Sequence, residues 1–370
     1  MPHKPLIDIW KAGVEAVRGE AAVATALPEI ATPTHIIAVG KAACDMARPA
    51  MAAFPDTPTL IVTKHGHSAN LPGPATILEA GHPIPDAASL QAGAALLDTV
   101  SNTQATDHLL MLVSGGASAV AEALPDHMTL DQWIAETEGL MAAGADIHEI
   151  NTRRRAVSQI KGGKLLSHFK GKAITTLAIS DVEGDALNVI GSGIGAALHG
   201  ASFQFTAEIV ASNAIARRAS ASATDETILT NDETLYADIH PLAQRIATHV
   251  LHSETGLHIF GGEPTVVLPK KPGRGGRNQA LALLIAKYIA GTPNIEILVA
   301  GTDGTDGPTP DAGALVTGDT WQPEAEIALK NADAGTFLSA QNALITTGPT
   351  GTNVMDMLIA RKSYLSLSFD

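Results

Sequence analysis

Short apolar runs alternate with longer Ala-rich or amphipathic stretches over residues 35–213. Each run has the length of a β-strand and ends in glycine or in a polar residue. The runs are HIIAVG (35–40), TLIVTKHG (59–66), HLLMLVSGG (108–116), AITTLAISD (173–181) and EIVASN (208–213). Apolar strands that alternate with helices are typical of a mostly parallel sheet that helices bury on both faces. The pattern therefore predicts an α/β domain in this part of the chain.

Polar residues follow several of these runs at the point where the predicted strand ends. They are Lys41 after Gly40, the Ser114-Gly115-Gly116 triplet, Asp181 and Asn213. In an open α/β sheet, ligands bind outside the carboxyl ends of the strands. We therefore expect a ligand site at that edge of the sheet.

A second region of alternating strands and helices follows the polar, turn-rich segment 218–235. Its predicted elements are a helix around 236–252, a strand at 256–264, a helix at 277–291, a strand at 295–301, and a strand with a glycine loop at 342–353. No internal repeat is present. We therefore predict two domains, a Rossmann-like α/β domain at residues 1–222 and a smaller α/β domain at residues 223–370.

Composition narrows the class of protein. With 45% hydrophobic and 17% charged residues, the chain is globular. A net charge of −14 and an aromatic content of 4% argue against nucleic acid or an anionic membrane as a partner. The one cysteine, Cys44, excludes intrachain disulfides and thiolate-rich metal sites. Because the N-terminal segment lacks an apolar signal core and no run of about eighteen apolar residues occurs, we expect a cytoplasmic protein.

Two motifs of the first domain suit an anionic ligand. VSGGASA (113–119) offers backbone N–H groups that small residues leave accessible, although a close-packed strand–helix turn would look the same. It is not a P-loop, and no dinucleotide fingerprint follows the first strand. EINTRRRAVSQIKGGKLL (149–166) concentrates basic residues in an acidic protein, and on a continuous helix Arg154, Ser158 and Lys161 would share one face. That cluster indicates either an anion site or a solvated helix face.

Three further motifs combine glycine with charged residues. SDVEGD (180–185) supplies Asp181 and Asp185 as magnesium ligands or as turn caps. GRGGRNQ (273–279) places Arg274 and Arg277 on a flexible backbone, as a phosphate clamp or as the tip of a surface hairpin. AGTDGTDGPTPDAGA (300–314) brings together Asp303, Asp306 and Asp311, which would serve as metal ligands or as a base. The HGH segment at 65–67 and the turn around His82 lack further metal ligands at a recognisable spacing.

Taken in order, these motifs resemble the glycerate 2-kinases of the MOFRL type, and the resemblance covers nearly the whole chain. The matching segments are AVGKAA, TKHGH, EAGHPIPD, LVSGGASA, INTRRR with SQIKGGKL, SDVEGD, GGEPTV, GRGGRNQ, GTDGTDGPTPDAGA and TGPTGTNVMD. The resemblance implies two α/β domains with a cleft between them. It also implies ATP-dependent, Mg²⁺-assisted phosphorylation of D-glycerate at its 2-hydroxyl, which yields 2-phosphoglycerate and ADP.

The resemblance also implies roles for individual residues. Lys41 matches the essential lysine, and Arg277 and Asp303 match catalytic residues of the second domain. The expected nucleotide-binding residues are Ser114, Gly115, Gly116, Ala117, Lys161, Asp181 and Asn213. The expected substrate-binding residues are Arg154, Glu263, Arg274 and Asn353. Asp181 and Asp303 are the expected magnesium ligands.

The chain departs from the family pattern in two places. The segment after SDVEGD reaches Ala211-Ser212-Asn213 early, which affects one wall of the implied cleft. NTRRRAVS replaces a more usual sequence, so only Asn151, Arg154 and Ser158 transfer. Two alternatives stay open: an NAD(P)H-dependent hydroxypyruvate reductase or kinase of a related hydroxy acid, and a binding protein without turnover. Both a monomer and a homodimer are compatible with the sequence.

Overall fold

The computed structural model describes residues 4–142 and 147–364. The chain forms two compact units. Unit A comprises residues 18–212, and unit B combines residues 1–17 with residues 213–370. Both units are α/β in content, as the alternating pattern predicts.

Unit A contains one six-stranded sheet. Its strands are β1 (His35–Val39), β2 (Thr59–Lys64), β3 (Thr76–Ala80), β4 (His108–Val113), β5 (Ala173–Ile179) and β6 (Gln204–Ala211). The strand order is β3-β2-β1-β4-β5-β6, and every neighbouring pair is parallel. This is the strand order of a Rossmann fold, in which the order reverses between β1 and β4. The prediction of a Rossmann-like domain is confirmed.

The central strands of this sheet are buried on both faces. The helices of unit A are α2 (Gly19–Ala26), α3 (Ala43–Ala53), α4 (Ala87–Ser101), α5 (Ala117–Val120), α6 (Leu130–Ala142), α7 (Ile147–Val157) and α8 (Lys164–Ser167), with 3₁₀ turns at Leu27–Glu29, Glu183–Asp185 and Ile190–Gly193. All six residues of β4 are buried, whichever face they point to. A continuous Leu/Val/Met run rather than an alternating one is what such a strand requires.

Two helices of unit A are shorter than the sequence predicts. The stretch ASAVAEAL (117–124) after the glycine triplet is one of the Ala-rich stretches whose pattern predicts a helix, but α5 ends at Val120 and Ala121 is extended. The Glu122 N–H donates to the Ser89 carbonyl (3.0 Å), which draws the chain away from the helix axis. Likewise, α7 ends at Val157, so the expectation that Ser158 and Lys161 continue the helical face of Arg154 is wrong.

Unit B contains a mixed sheet. Its strands are β7 (Ile228–Glu233), β8 (Gly256–Gly262), β9 (Ile295–Gly301), β10 (Asp311–Thr317), β11 (Leu344–Thr346) and β12 (Asp356–Lys362). The order is β11-β10-β9-β12-β8-β7, antiparallel except for the β7–β8 pair. Its helices are α1 (Leu6–Ala16), α9 (Asn213–Ser222), α10 (Ile239–His252), α11 (Arg277–Tyr288), α12 (Ala325–Lys330) and α13 (Ala334–Ala340). The nearly continuous burial of α11, from Asn278 to Ala286, marks it as the central helix of the core.

Helices α1 and α9 explain where the structural division differs from the boundary placed after residue 222. A Cβ atom on Gly13 of α1 would collide with the Ser220 side chain and the Ala216 carbonyl of α9, so the two helices touch backbone to backbone. Asn213, the first residue of α9, is fully buried and donates to the Val354 and Asp356 carbonyls at 2.9 and 3.0 Å. The division therefore falls before Asn213, and α1 belongs to unit B.

Candidate active site

The predicted strand-end residues of unit A meet where the strand order reverses. The Lys41 N–H donates to the Gly115 carbonyl (2.9 Å), and the Ala42 N–H donates to the Ser114 hydroxyl (3.1 Å). These bonds join the loop after β1 to the loop after β4. In this fold, the crevice outside such a reversal is where ligands bind.

Gly115 provides close access to a carboxylate. A Cβ atom at residue 115 would overlap the Asp181 side chain, which follows β5. The loops after β1, β4 and β5 thus place Lys41, residues 114–117 and Asp181 at one edge of the sheet. The sequence predicted this grouping, because parallel strands end at the same edge.

A methyl group at residue 115 is expected to displace Asp181. Gly115→Ala should lower kcat about 10- to 100-fold, because a shift of about 1 Å in a reacting or metal-binding group has effects of that size. Steady-state kinetics of the phosphorylation that the family resemblance implies would measure it. The control is Gly139→Ala in α6, where a Cβ atom has open space; equal activity of the two variants would contradict the assignment.

Lys161 lies deep in unit A and pairs with Glu122. The Lys161 ammonium group donates to the Glu122 carboxylate, and the two side chains are 1% and 0% exposed. Burial lowers the pKa of Lys161, while the Glu122 carboxylate opposes that shift. Burial also lowers the pKa of Arg154, again opposed by Glu122. Glu122 therefore compensates charge from two predicted site residues, a role that no motif of the sequence indicated.

The segment after Lys161 packs against the shortened segment that follows SDVEGD. The N–H groups of Gly162 and Gly163 donate to the Ser192 and Gly193 carbonyls at 2.8 and 2.9 Å. Ser192 has a left-handed φ of 57°, and its hydroxyl lies 2.9 Å from that of Ser118 on α5. The KGG segment therefore supports the backbone beneath the glycine loop.

Arg277 is the centre of the polar cluster in unit B. Its guanidinium donates to Asp356 Oδ2 through Nε (2.9 Å) and pairs with Glu263 Oε1 through Nη2 (2.8 Å). Burial lowers the pKa of Arg277, but the carboxylates of Asp356 and Glu263 outweigh it and raise the pKa above its ordinary value. The structure thus joins predicted Arg277 and Glu263 and adds Asp356, a residue within TGPTGTNVMD to which the sequence assigned no role.

Asp306 caps α11, the helix that begins at Arg277. Its carboxylate accepts the N–H groups of Asn278 (3.1 Å) and Gln279 (2.8 Å). Burial raises the pKa of Asp306 from 3.8 to about 7, against the effect of these two bonds. Gly276 allows this contact, because a Cβ atom there would collide with the carboxyl group.

This raised pKa predicts a pH-dependent stability. Between about pH 4 and about pH 7, the folded chain keeps a proton on Asp306 that the unfolded chain releases, so the free energy of unfolding falls as the pH rises through that window. Across this window, the raised pKa of Asp306 lowers the free energy of unfolding by an amount on the order of 4 kcal/mol. In urea unfolding of wild type and Asp306→Asn at about pH 5 and about pH 7.5, the stability advantage of wild type should shrink at the higher pH. A constant difference would refute the raised pKa.

The three aspartates of the 300–314 loop go to separate partners. Asp303 Oδ1 accepts the Thr305 N–H and hydroxyl at 2.9 and 3.0 Å, which forms a local turn. Asp311 accepts from Arg274 and from the Thr346 hydroxyl, both at 2.5 Å. Since Asp306 caps α11, each of the three carboxylates bonds to a different part of unit B. Gly304, with a φ of 85°, is required because a Cβ atom there would meet the Gly348 carbonyl.

The remaining predicted residues of unit B have structural contacts. Arg274 is partly exposed and pairs with Asp311. Asn353 Oδ1 accepts the Met355 N–H (3.2 Å), and Asn213 Oδ1 accepts from Arg217 Nε (2.9 Å). Asp303 also approaches this region, because its carbonyl accepts the Thr350 N–H (3.3 Å).

Within residues 4–142 and 147–364, no group of three or more His, Cys, Asp or Glu side chains is placed to hold a metal ion by itself. Magnesium bound with a nucleotide needs only one or two carboxylates, since phosphate oxygens and water complete its shell. Over the same part of the chain, no helix has both the length and the apolarity to cross a membrane.

Two family models match the chain. Residues 6–226 match a domain of unknown function, DUF4147, and residues 256–356 match the MOFRL family. A D-glycerate 2-kinase of Thermotoga maritima is 33% identical, over 96% of this chain and 97% of that protein. A glycerate 2-kinase of Pyrococcus horikoshii is also 33% identical, over 90% of this chain and 88% of that protein.

A solved structure gives the same result. The crystal structure of glycerate kinase from Thermotoga maritima matches with a TM-score of 0.88 and 31% sequence identity, covering 96% of this chain and 98% of that one. Sequence, family models and fold agree with the motifs quoted above. The chain belongs to the MOFRL-type glycerate 2-kinase family.

Proposed function

We propose that this protein transfers the γ-phosphoryl group of ATP to the 2-hydroxyl of D-glycerate. A P–O bond forms to the glycerate oxygen while the bond between the γ-phosphorus and the β,γ-bridging oxygen breaks. The products are 2-phospho-D-glycerate and ADP, and the hydroxyl proton leaves to a carboxylate or to water. The names and identities of the relatives support this activity and this regiochemistry.

The position of Lys41 on the glycine loop is the observation that carries the proposal. The Lys41 N–H is bonded to the Gly115 carbonyl, and the Lys41 stem lies beside Gly116. Phosphoryl transfer depends mainly on positioning and on neutralising charge that spreads over phosphate oxygens. A lysine and accessible backbone N–H groups at one point suit that task. Because α5 has only four residues, Lys41 and the loop amides contribute more than a helix dipole.

We assign the other roles from the family pattern. Arg277, which pairs with two carboxylates, is proposed as a second cation required for phosphoryl transfer. Asp303 is proposed as a magnesium ligand or as the base that accepts the hydroxyl proton. Arg154 is proposed to bind the glycerate carboxylate, with Glu263, Arg274 and Asn353 as further substrate contacts. Nucleotide contacts by Lys161 and Asn213 stay predictions, since both side chains are buried in bonds to the protein.

The residues at the unit A site fit a nucleotide-bound magnesium ion. Asp181 offers one carboxylate next to the Gly115 backbone, and small residues leave room for phosphate there. In unit B, the local turn of Asp303 uses Oδ1 and leaves Oδ2 for a ligand. When bound, the ion would neutralise charge on the phosphate oxygens.

A coupled ADP assay with D-glycerate and ATP tests the activity, and ³¹P NMR of the product tests the position of the phosphate. We expect ADP release that depends on D-glycerate and a product that is 2-phosphoglycerate. A parallel mixture of protein, hydroxypyruvate and NADH should keep its absorbance. Loss of NADH absorbance without ADP release would show that the protein is a hydroxypyruvate reductase and not a kinase. ATP binding without turnover on a panel of hydroxy acids would indicate a binding protein.

A further inference from the structure

The imidazole ring of His82 lies against the glycine loop that follows β4. A Cβ atom on Gly116 would lie 3.1 Å from His82 Cδ2 and 3.2 Å from His82 Nε2. The same point lies 2.9 Å from Lys41 Cγ. The backbone of residue 116, the stem of Lys41 and one edge of the His82 ring therefore meet, and the absence of a side chain at 116 leaves that edge accessible.

The charged groups around His82 come from three other parts of unit A. Lys41 follows β1, Lys64 ends β2 with His67 just beyond it, and Arg154 lies on α7. Burial and, in decreasing order of effect, the basic groups of Lys41, Lys64, His67 and Arg154 together lower the pKa of His82 to about 4. At neutral pH the ring is therefore uncharged, with one N–H donor and one acceptor nitrogen.

The His82 ring nitrogens have no hydrogen-bond partner among the residues that the structure describes. Lys41, Lys64 and Arg154 place positive charge near this ring, and Glu122 opposes part of it at Arg154. The ring also borders the Gly116 backbone and the Lys41 stem, which belong to the loop proposed to hold phosphate. A polyphosphate is thus the ligand that the group matches best.

We propose that His82 donates a ring N–H hydrogen bond to a phosphate oxygen of the bound nucleotide, beside Lys41 and the Gly116 backbone. The inference rests on the proposed kinase function and adds a nucleotide contact from the EAGHPIPD segment. Because His82 is neutral before the nucleotide binds, its hydrogen bond orients the phosphate group and adds no positive charge to the site. Binding of the anion offsets the surrounding cations and makes protonation of the ring easier.

NMR of the wild-type protein with ¹³C,¹⁵N-labelled histidine tests the contact directly. The His82 signal is identified by its absence in His82→Gln, and its titration midpoint is measured alone, with MgAMP-PNP, and with D-glycerate. We expect MgAMP-PNP to raise the midpoint by about one pH unit or more, because a nearby anion favours the charged ring. D-glycerate alone should raise the midpoint much less, because Arg154, its proposed partner, has the weakest effect of the four basic groups on the His82 pKa.

Kinetics of variants give an independent readout. His82→Leu is expected to raise KM for ATP about tenfold or more, the effect of losing a hydrogen bond to a charged group, with KM for D-glycerate nearly unchanged. His82→Gln, whose amide places a donor near the lost Nε2–H, should recover part of the affinity. His168→Leu is the matched control, since His168 is exposed after α8.

Three outcomes would overturn the proposal. In the first, calorimetry shows that MgAMP-PNP binds while the His82 midpoint stays in place. In the second, His82→Leu raises KM for D-glycerate instead of KM for ATP. In the third, wild-type protein binds no nucleotide at all, and this last result alone also removes the proposed kinase function.

Discussion

Lys41→Ala is expected to lower kcat for glycerate phosphorylation by about 10³-fold, the size of effect seen when one preorganised group that stabilises transition-state charge is removed. Lys41 meets the glycine loop through its backbone N–H and its stem, and its ammonium group forms no ion pair with any residue that the structure describes. Its removal should therefore leave the fold intact. Coupled ADP assays measure the rate, and urea unfolding measures the stability.

The matched control for Lys41 is Lys170→Ala, which removes an exposed lysine after α8 in the same unit. It should keep the wild-type rate, and Lys41→Arg should recover only part of it, because a planar guanidinium replaces a compact ammonium group. A Lys41→Ala variant with nearly wild-type turnover would end the catalytic assignment. A large loss of stability in that variant would instead point to a structural role.

Glu122→Gln is expected to lower the free energy of unfolding by about 3–5 kcal/mol, because it leaves the Lys161 charge buried without its partner. Both side chains are essentially inaccessible to water, so little solvent screening reduces the effect. Lys161→Met should also be destabilising, because it leaves the Glu122 carboxylate buried without its partner. The double variant Glu122→Gln/Lys161→Met should lose less than the sum of the two, with a coupling of about 1–3 kcal/mol.

The exposed pair Lys287–Glu326 is the control for this cycle, since its side chains are 41% and 63% exposed. Lys287→Met should change stability by less than about 1 kcal/mol. The same variants decide between two roles of Lys161. If Lys161 mainly binds nucleotide, Lys161→Met raises KM for ATP and changes the free energy of unfolding little. In that case the losses of stability in Glu122→Gln and Lys161→Met simply add in the double variant, which contradicts a structural ion pair.

The sheet of unit A was predictable wherever strands are buried on both faces. The four runs that became β1, β2, β4 and β5 are mostly apolar, because nearly all of their residues are buried, whichever face they point to. The edge strand β3, by contrast, was not predicted, since its residues are only partly buried. In unit B the edge strand β7 looked like a polar boundary, because Asn231 and Glu233 are needed to bond Arg217.

The candidate site was predictable in part for a related reason. Lys41, residues 114–117 and Asp181 follow strands that end at one edge, so their proximity follows from topology. The partners of buried charges do not follow from it. Glu122 is 39 residues from Lys161 and Asp356 is 79 residues from Arg277, and only the folded chain brings such residues together. His82 lay in a segment with no metal-ligand spacing, and its basic neighbours come from three separate elements.

The placement of α1 in unit B has a consequence for synthesis. Along the sequence, the whole of unit A separates α1 from its packing partner α9. During synthesis α1 therefore leaves the ribosome on the order of 10–40 s before α9 is made. An isolated helix of 11 residues is marginal in water, and its buried face carries Leu6, Ile9, Trp10 and Val14. During translation this segment is therefore an exposed apolar patch that a chaperone would recognise, and unit B becomes complete only after the nascent chain has delivered its C-terminal strand.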